Sequence, residues 1–198
     1  MIKSCYPDRA ISAPIQEKGG LICPSDAKVL FTTANMTEPK MILEIGTYKG
    51  KTTLGLANSA LDAQVYTMDI FREMRKDINP SQRVEILPKT KVGRVFKNKK
   101  KNIIQIFGDS RDIASYPFRG KKIDLAFIDG DHSLKAVIQD SLNVLKFMKR
   151  RSIIFWHDFF GDKNSQQVSA ALGYLAVRKR LDIFHIKNTR LAFCLLNR

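Results

Sequence analysis

Cysteine is scarce in this chain. Cys5, Cys23 and Cys194 are odd in number, far apart and without a Cys-x-x-Cys pair, which excludes a disulfide framework and argues against a zinc site. They read as buried or incidental thiols. Long apolar runs are also missing: none approaches the ~20 residues of a membrane span, and the first residues lack the apolar core of a secretory leader. The expectation is a soluble, cytoplasmic protein without a membrane span. No internal repeat or low-complexity tract is visible. Acidic residues are in deficit, with 19 Asp and Glu against 34 Lys and Arg, a net charge of +15. A field of that sign attracts anions such as nucleic acid, anionic lipid or an acidic small substrate. The deficit is sharpest where Lys89, Lys91, Arg94, Lys97, Lys99, Lys100 and Lys101 follow one another with no Asp or Glu between them.

What is present organises itself around Met41-Ile-Leu-Glu-Ile-Gly-Thr-Tyr-Lys-Gly-Lys-Thr-Thr53. An apolar run ends at Glu44 and Ile45, breaks at Gly46, and reopens at Gly50 into a helical pattern carried by Leu54, Ala57 and Leu61. Strand, glycine turn and helix in that order form the first half of a nucleotide-binding βα unit. Glycine lets the backbone turn tightly and a ligand come close, and the helix N-terminus offers free N–H groups to it. A phosphate-binding loop competes for the same residues, with Gly50-Lys51-Thr52 as its core and Leu125–Asp129 as its magnesium-binding strand. That pattern needs four residues between its glycines, and here there are three. Glu44 would also repel a polyphosphate, whereas it suits a cationic ligand bearing hydroxyls.

The rest of the chain repeats the theme. Residues 1–20, with Pro7, Pro14, Gly19 and Gly20, read as an irregular arm. A helix is expected from Ser25, as its cap, to Glu38-Pro39. Strands are expected at 41–45, 65–69, 103–107, 123–128 and 153–156. Ser133 should cap a helix whose apolar face runs Leu134, Val137, Ile138, Leu142, Leu145 and Met148, with Lys146, Lys149, Arg150 and Arg151 at its C-terminal end. A last helix should start at Ser165 with Val168, Leu172 and Leu175 inward. Asp182–Lys187 and Arg190–Leu196 then read as a strand pair turned by Asn188-Thr189. This alternation predicts an α/β fold: a doubly wound, Rossmann-like sheet of about seven strands, mostly parallel, with an antiparallel C-terminal edge strand.

Each predicted strand ends on a polar motif: Asp69, Gly108-Asp109-Ser110, Phe127-Ile-Asp-Gly-Asp-His-Ser133 and Ile154-Phe-Trp-His-Asp-Phe159. With Glu44-Ile-Gly46-Thr-Tyr-Lys-Gly50, these resemble class I S-adenosylmethionine-dependent methyltransferases, in particular the small O-methyltransferase-like methyltransferase domain family 24. The resemblance covers roughly residues 20–196 and implies one methyltransferase-like domain over 21–198, with a basic insertion at about 72–101. Met148–Ser152 replaces the family's usual Pro-Gly-Gly turn.

The resemblance implies a cofactor site made of Glu44, Gly46, Thr47, Gly50, Thr52, Asp69, Asp109, Ser110 and Asp129. Asp69 lies 25 positions past Glu44 at the tip of the next strand, where an acid can accept from both ribose hydroxyls; capping the following turn is the simpler role. Asp109 and Ser110 would approach the adenine, or merely form an Asp turn. The expected reaction is methylation of a hydroxyl on a small molecule or sugar, which is slow unless the hydroxyl is activated. A base or a cation can do this. His132 is the candidate base, with Asp129 beside it and Asp131 to hold its tautomer, although His132 also fits a helix cap or a supporting residue. Asp129, His157 and Asp158 are the candidate ligands for Mg²⁺ or another divalent metal, because related metal-dependent enzymes place acids at those positions. An imidazole at 157 is a poor choice for a hard ion. The basic insertion is read as a solvated loop, as a lid over an anionic acceptor, or as a nucleic-acid surface in a non-enzymatic protein. Acceptor and oligomeric state are not legible.

Overall fold

The computed structural model describes residues 22–74, 86–97, 100–116, 120–160 and 163–197. The expected N-terminal arm, Cys5, Lys99 and the early part of the basic insertion lie outside them. Seven strands form one sheet: β1 Met41–Ile45, β2 Gln64–Asp69, β3 Ile103–Phe107, β4 Ile123–Ile128, β5 Met148–Trp156, β6 Ile183–His185 and β7 Ala192–Leu196. Their order is β3-β2-β1-β4-β5-β7-β6. Strands β1 to β5 pair in parallel, and β7 is antiparallel to both β5 and β6. The antiparallel strand foreseen at the edge is therefore β7, one place in from it.

Alternation along the strands sends side chains into two layers. Ile42, Val65, Leu125, Phe127 and Phe155 pack under α1 (Pro24–Thr37) and α2 (Lys51–Ser59), against Leu30, Phe31, Leu56 and Ala57. Leu43, Ile45, Met68, Ala126, Ile128, Ile154 and Trp156 face α3 (Leu134–Leu145) and α4 (Lys163–Lys179), against Val137, Val144, Val168, Leu172 and Leu175. With both faces covered, the central strands can be almost wholly apolar, as their sequences are.

Several local expectations shift. Cys23, not Ser25, is the N-cap of α1, because Pro24 takes the first helical position, where its missing N–H costs nothing. Helix α2 ends at Ser59, and Leu61 is 72% exposed beyond it. Helix α3 stops at Leu145, and Ser133 caps it as foreseen. Met148 already belongs to β5, paired with Ile123. Lys149, Arg150 and Arg151 are thus strand residues rather than helix-end charges. Their exposure hid the strand from the hydrophobic pattern, and Arg151, at φ 58°, accompanies a register shift against β4. Lys149 is anchored to Asp124 at 2.6 Å. Among the described residues no helix is long and apolar enough to cross a membrane.

Candidate active site

The sheet order reverses between β1 and β4, which opens a crevice at their carboxyl ends. Backbone bonds just past the strands line up the sequence motifs along it. Gly108 N–H donates to Asp69 O (2.9 Å), Gly46 N–H to Met68 O (2.8 Å), Asp129 N–H to Ile45 O (2.8 Å) and His157 N–H to Ile128 O (3.0 Å). Four motifs far apart in sequence become one row because each follows its strand by a residue or two.

The glycine turn is built as its sequence requires. Gly46 has φ 100°, and a Cβ there would lie 2.1 Å from the Asp129 carbonyl oxygen, so a side chain would push the two strand tips apart. Gly50, at φ 85°, is the N-cap of α2. Between them Tyr48, at φ 46°, gives its N–H to Asp69 Oδ2 at 2.7 Å. Asp69 therefore braces the turn with one oxygen. Burial, partly offset by the Tyr48, Ile70 and Thr47 N–H groups, raises its pKa to about 6. Thr47 and Thr52 are buried beside it, and the Thr47 and Thr67 hydroxyls meet at 2.6 Å.

Glu44 departs from expectation. It has no exposed surface, and its Oε2 accepts from the hydroxyls of Thr53 and Thr67. Burial raises its pKa to about 8 despite those bonds, with Asp129 and Asp69 adding to the rise. The carboxyl supports the underside of the turn through Oε2, while Oε1 is buried without a hydrogen-bond partner. Asp109 and Ser110 are also occupied. Asp109 caps the 3-10 turn Ser110–Ser115 by accepting from Arg111 N–H and pairs with the Arg111 guanidinium. Ser110 donates to Asp140 of α3 at 2.5 Å. The Asp-turn role is the one their contacts display.

The later part of the basic insertion is folded onto this turn. Gly93 N–H donates to Tyr48 O (2.8 Å) and Val95 N–H to Lys49 O (3.1 Å). Val92 and Phe96 are buried, while Lys89, Lys91, Arg94 and Lys97 face outward. Lys89 lies about 5 Å over both the Phe71 and Phe107 rings.

The opposite wall holds the ionisable cluster. His132 Nε2 is 3.1 Å from Asp158 Oδ2 and 3.5 Å from Asp129 Oδ1. Burial opposes its charge, but the two carboxylates outweigh burial and raise its pKa above the ordinary 6.5. Asp131, expected to hold the His132 tautomer, accepts from Ser133 N–H at 2.8 Å with Oδ1, and Asp158 and Asp129 meet the ring. Both remain charged because the neighbouring imidazoles lower their pKa values against the effect of burial. Beneath lie Ile128, Val137, Trp156 and Val168, and the Trp156 indole donates to Ser141 Oγ at 2.8 Å.

Asp26 and Arg190, neither of them a candidate site residue from sequence, complete this cluster. Asp26 of α1 is wholly buried, with Oδ2 3.0 Å from His157 Nε2 and Oδ1 accepting from Arg190 N–H at 3.0 Å. The Arg190 guanidinium reaches Asp158 Oδ1 at 2.7 Å. His157 Nδ1 sits 3.2 Å from both Asp129 Oδ1 and Asp158 Oδ1. Burial would discharge His157, yet three surrounding carboxylates push its pKa up to about 12.

By donor type, a divalent ion would suit Asp129, His132 and Asp158, whose nearest ligand atoms lie within 4.8 Å of one another. His157 Nδ1 and Asp158 Oδ1 are buried beside this group without a hydrogen-bond partner. His157, expected as the third ligand, turns Nε2 to Asp26 and Nδ1 toward Asp129 and Asp158, while His132 stands with the two acids in the group.

Residues 43–159 match the methyltransferase domain family Methyltransf_24. The chain belongs to that family. Its members are class I S-adenosylmethionine-dependent enzymes, as the motif resemblance implied, and membership displaces the phosphate-loop alternative. Lys51, that alternative's key residue, is buried at the first position of α2. Solved structures share the fold. Cofactor-bound Rv0187 from MTB has a TM-score of 0.69 at 19% identity, covering 94% of this chain and 85% of that one. SAH-bound methyltransferase PaMTH1 from Podospora anserina has a TM-score of 0.69 at 16% identity, covering 90% and 80%. The O-methyltransferase from Bacillus cereus in complex with SAH has a TM-score of 0.63 at 16% identity, covering 88% and 82%. No curated protein matches the sequence.

Proposed function

We propose that this methyltransferase binds S-adenosylmethionine in the crevice between β1 and β4 and methylates a hydroxyl of an anionic small molecule or sugar, with His132 as the base. One observation carries this reading: the glycine turn and the Asp129–His132–Asp158 cluster meet across a single crevice, with Gly46 against the Asp129 carbonyl. Gly46 supports the cofactor reading because only a residue without a Cβ lets the turn lie this close to the Asp129 carbonyl, which keeps turn and cluster on one crevice.

When bound, S-adenosylmethionine supplies a methyl group on a positively charged sulfur. The protein's part is positioning and proton removal. The Asp69 carboxylate, at the tip of β2, serves the ribose hydroxyls, while Gly46, Thr47, Gly50 and Thr52 present backbone and the α2 N-terminus to the amino-acid portion. His132, with 27% of its side chain exposed, can be reached by an acceptor. His132 would take the hydroxyl proton on Nδ1, the ring nitrogen opposite the Nε2 that faces Asp158 and Asp129, as the methyl group passes from sulfur to the acceptor oxygen. Asp158 and Asp129 stabilise the imidazolium so formed. The outward face of the insertion, Lys91, Arg94 and Lys97, provides the charge for an anionic acceptor next to the cofactor turn.

The test is calorimetry with S-adenosylmethionine against ATP–Mg²⁺, followed by mass detection of methyl transfer to hydroxyl acceptors bearing phosphate or carboxylate. Binding of ATP and not S-adenosylmethionine would overturn the reading. Methylation of nucleic acid with steep salt dependence would reassign the basic face to that partner.

A further inference from the structure

The crevice lies at the carboxyl ends of the strands, and the opposite end of the sheet is a basic face that methyl transfer leaves unused. We infer that this amino-terminal end docks the chain on an anionic membrane surface, through runs of lysine and arginine with aliphatic side chains set among them.

Strand polarity collects the charges there. Strands β1 to β5 run parallel, so each segment entering one of them lies at the end away from the crevice. Strand β6, antiparallel to β7 as β5 is, also starts at that end. Three basic runs occupy such segments: Lys121-Lys122 just before β4, Lys149–Arg151 at the start of β5, and Arg178–Arg180 at the end of α4. All are exposed. Ile123 pairs with Met148, which sets the first two runs side by side. The third leads into β6, two strand spacings from β5, or about 10 Å. Acids near the runs are few. Asp124 is taken by Lys149 at 2.6 Å and by the Lys40 and Met41 N–H groups, and Asp182 is exposed just past the third run.

The start of β5 is shaped to point charge outward. Alternation along a strand would turn Arg150 to the side of Met148 and Ser152, both buried. Instead Lys149, Arg150 and Arg151 are all exposed. Arg151 takes φ 58°, the register against β4 shifts, and Ser152 Oγ donates to Lys149 O at 2.6 Å. A residue with a side chain is strained at that φ. What the strain yields is three adjacent bases facing solvent.

Aliphatic side chains decide between the polyanions. Val177, 77% exposed in the last turn of α4, stands beside Arg178, with Tyr174 three residues back on the same side. Met36 at the end of α1 and Leu61 between α2 and β2 are exposed at this end too. Such groups gain by entering a headgroup layer while lysine and arginine stay at its surface. Binding of single-stranded nucleic acid relies on stacked rings and a groove that follows the backbone, whereas these runs are spread over separate strand starts and a helix end. The dipole of α4 accounts for the bases at its own C-terminus, and not for those before β4 and in β5. Strands of five and six residues hold the two ends about 17–20 Å apart, so a docked chain keeps its crevice open to the aqueous side. The docking claim does not rest on the proposed acceptor.

The experiment is co-sedimentation of the full chain with phosphatidylcholine vesicles, with and without phosphatidylserine. Binding is expected only to the vesicles that contain phosphatidylserine, and it should fall as salt shortens the screening length. Arg150→Glu with Arg178→Glu should lower partitioning at least about tenfold, and Leu61→Ser with Val177→Ser at least about threefold. Lys91→Glu with Arg94→Glu, at the crevice end, should change it by less than about twofold. No binding, equal binding to both vesicles, or an equal loss from the crevice-end pair would overturn the inference. So would polyuridylate that displaces the chain from vesicles and whose own binding weakens in the arginine variant but not in the aliphatic one; the face would then belong to nucleic acid. Thermal unfolding reports whether the variants fold. Should Arg150→Glu disturb β5, Arg178→Glu with Lys179→Glu on the surface of α4 takes its place, with the same loss expected.

Discussion

The two walls of the crevice are held together in different ways. The cofactor wall is local: Glu44 meets Thr53 nine residues on and Thr67 23 residues on, and Tyr48 meets Asp69 across 21. Its partners are adjacent strand tips and a turn, and backbone geometry does most of the work. The acceptor wall is long-range: Asp26 reaches His157 across 131 residues and Arg190 across 164. Its partners are side-chain charges brought in from both ends of the chain. A turn made of backbone is specified by a short motif, whereas a cluster of buried charges exists only once the whole sheet has closed around it.

Breaking the long-range wall should have the larger effects. Asp26→Ala leaves the His157 imidazolium without its rear partner, and loss of one member of a buried ion pair costs about 3–5 kcal/mol; urea unfolding should show this, and a loss below ~1 kcal/mol would mean that His157 does not depend on Asp26. His132→Ala should lower kcat by about 10²–10⁴ while leaving S-adenosylmethionine affinity in place. In the wild type, kcat should rise as His132 loses its proton, and since its pKa is raised, that limb should lie above pH 6.5. A limb at or below that value would remove the carboxylates' influence on it.

The local wall should give milder, more separable outcomes. Asp69→Asn keeps the shape but weakens the acceptor for ribose, and cofactor affinity should fall by about tenfold, the size of one lost hydrogen bond to a charged group; isothermal titration would show it. Lys91→Glu with Arg94→Glu should raise KM for an anionic acceptor with kcat nearly constant, and unchanged KM would leave the insertion without a role in acceptor binding. Glu44→Gln should do least. The folded pKa of about 8 lies above the ordinary 4.5, so the native state holds the extra proton and wild-type stability falls as pH rises between those values. Glutamine, which cannot lose that proton, should flatten the decline, and pH-dependent thermal unfolding of both proteins would reveal whether it does.

Much of the fold was legible because its signals are short. Met41–Ile45, Ile103–Phe107 and Ile123–Ile128 read as buried strands and are strands with those bounds. Ser133 read as a cap and is one. Failures arose where charge overlay a strand, as with Lys149 to Arg151, or where proline changed the cap, as at Cys23. In the site, Gly46, Asp69, Asp129 and His132 fell at strand ends and were visible for that reason. Asp26 read only as an acid in a helix's first turn, and Arg190 as part of a strand pair, since nothing near either residue indicates its partner. Asp131 was favoured for His132 by adjacency, and one of its oxygens accepts from Ser133 N–H within the same loop.

The sequence by itself determined the order of strands and helices, the glycine turn, and which polar residues sit at the strand tips, because periodicity and turn chemistry act over a few neighbouring residues. Only the tertiary structure decided that Glu44 is sealed beneath the turn, that β7 lies between β5 and β6, and that Asp26 meets His157 and Arg190. Those outcomes depend on how deeply a group is buried and which charges surround it, and both are properties of packed space rather than of the chain.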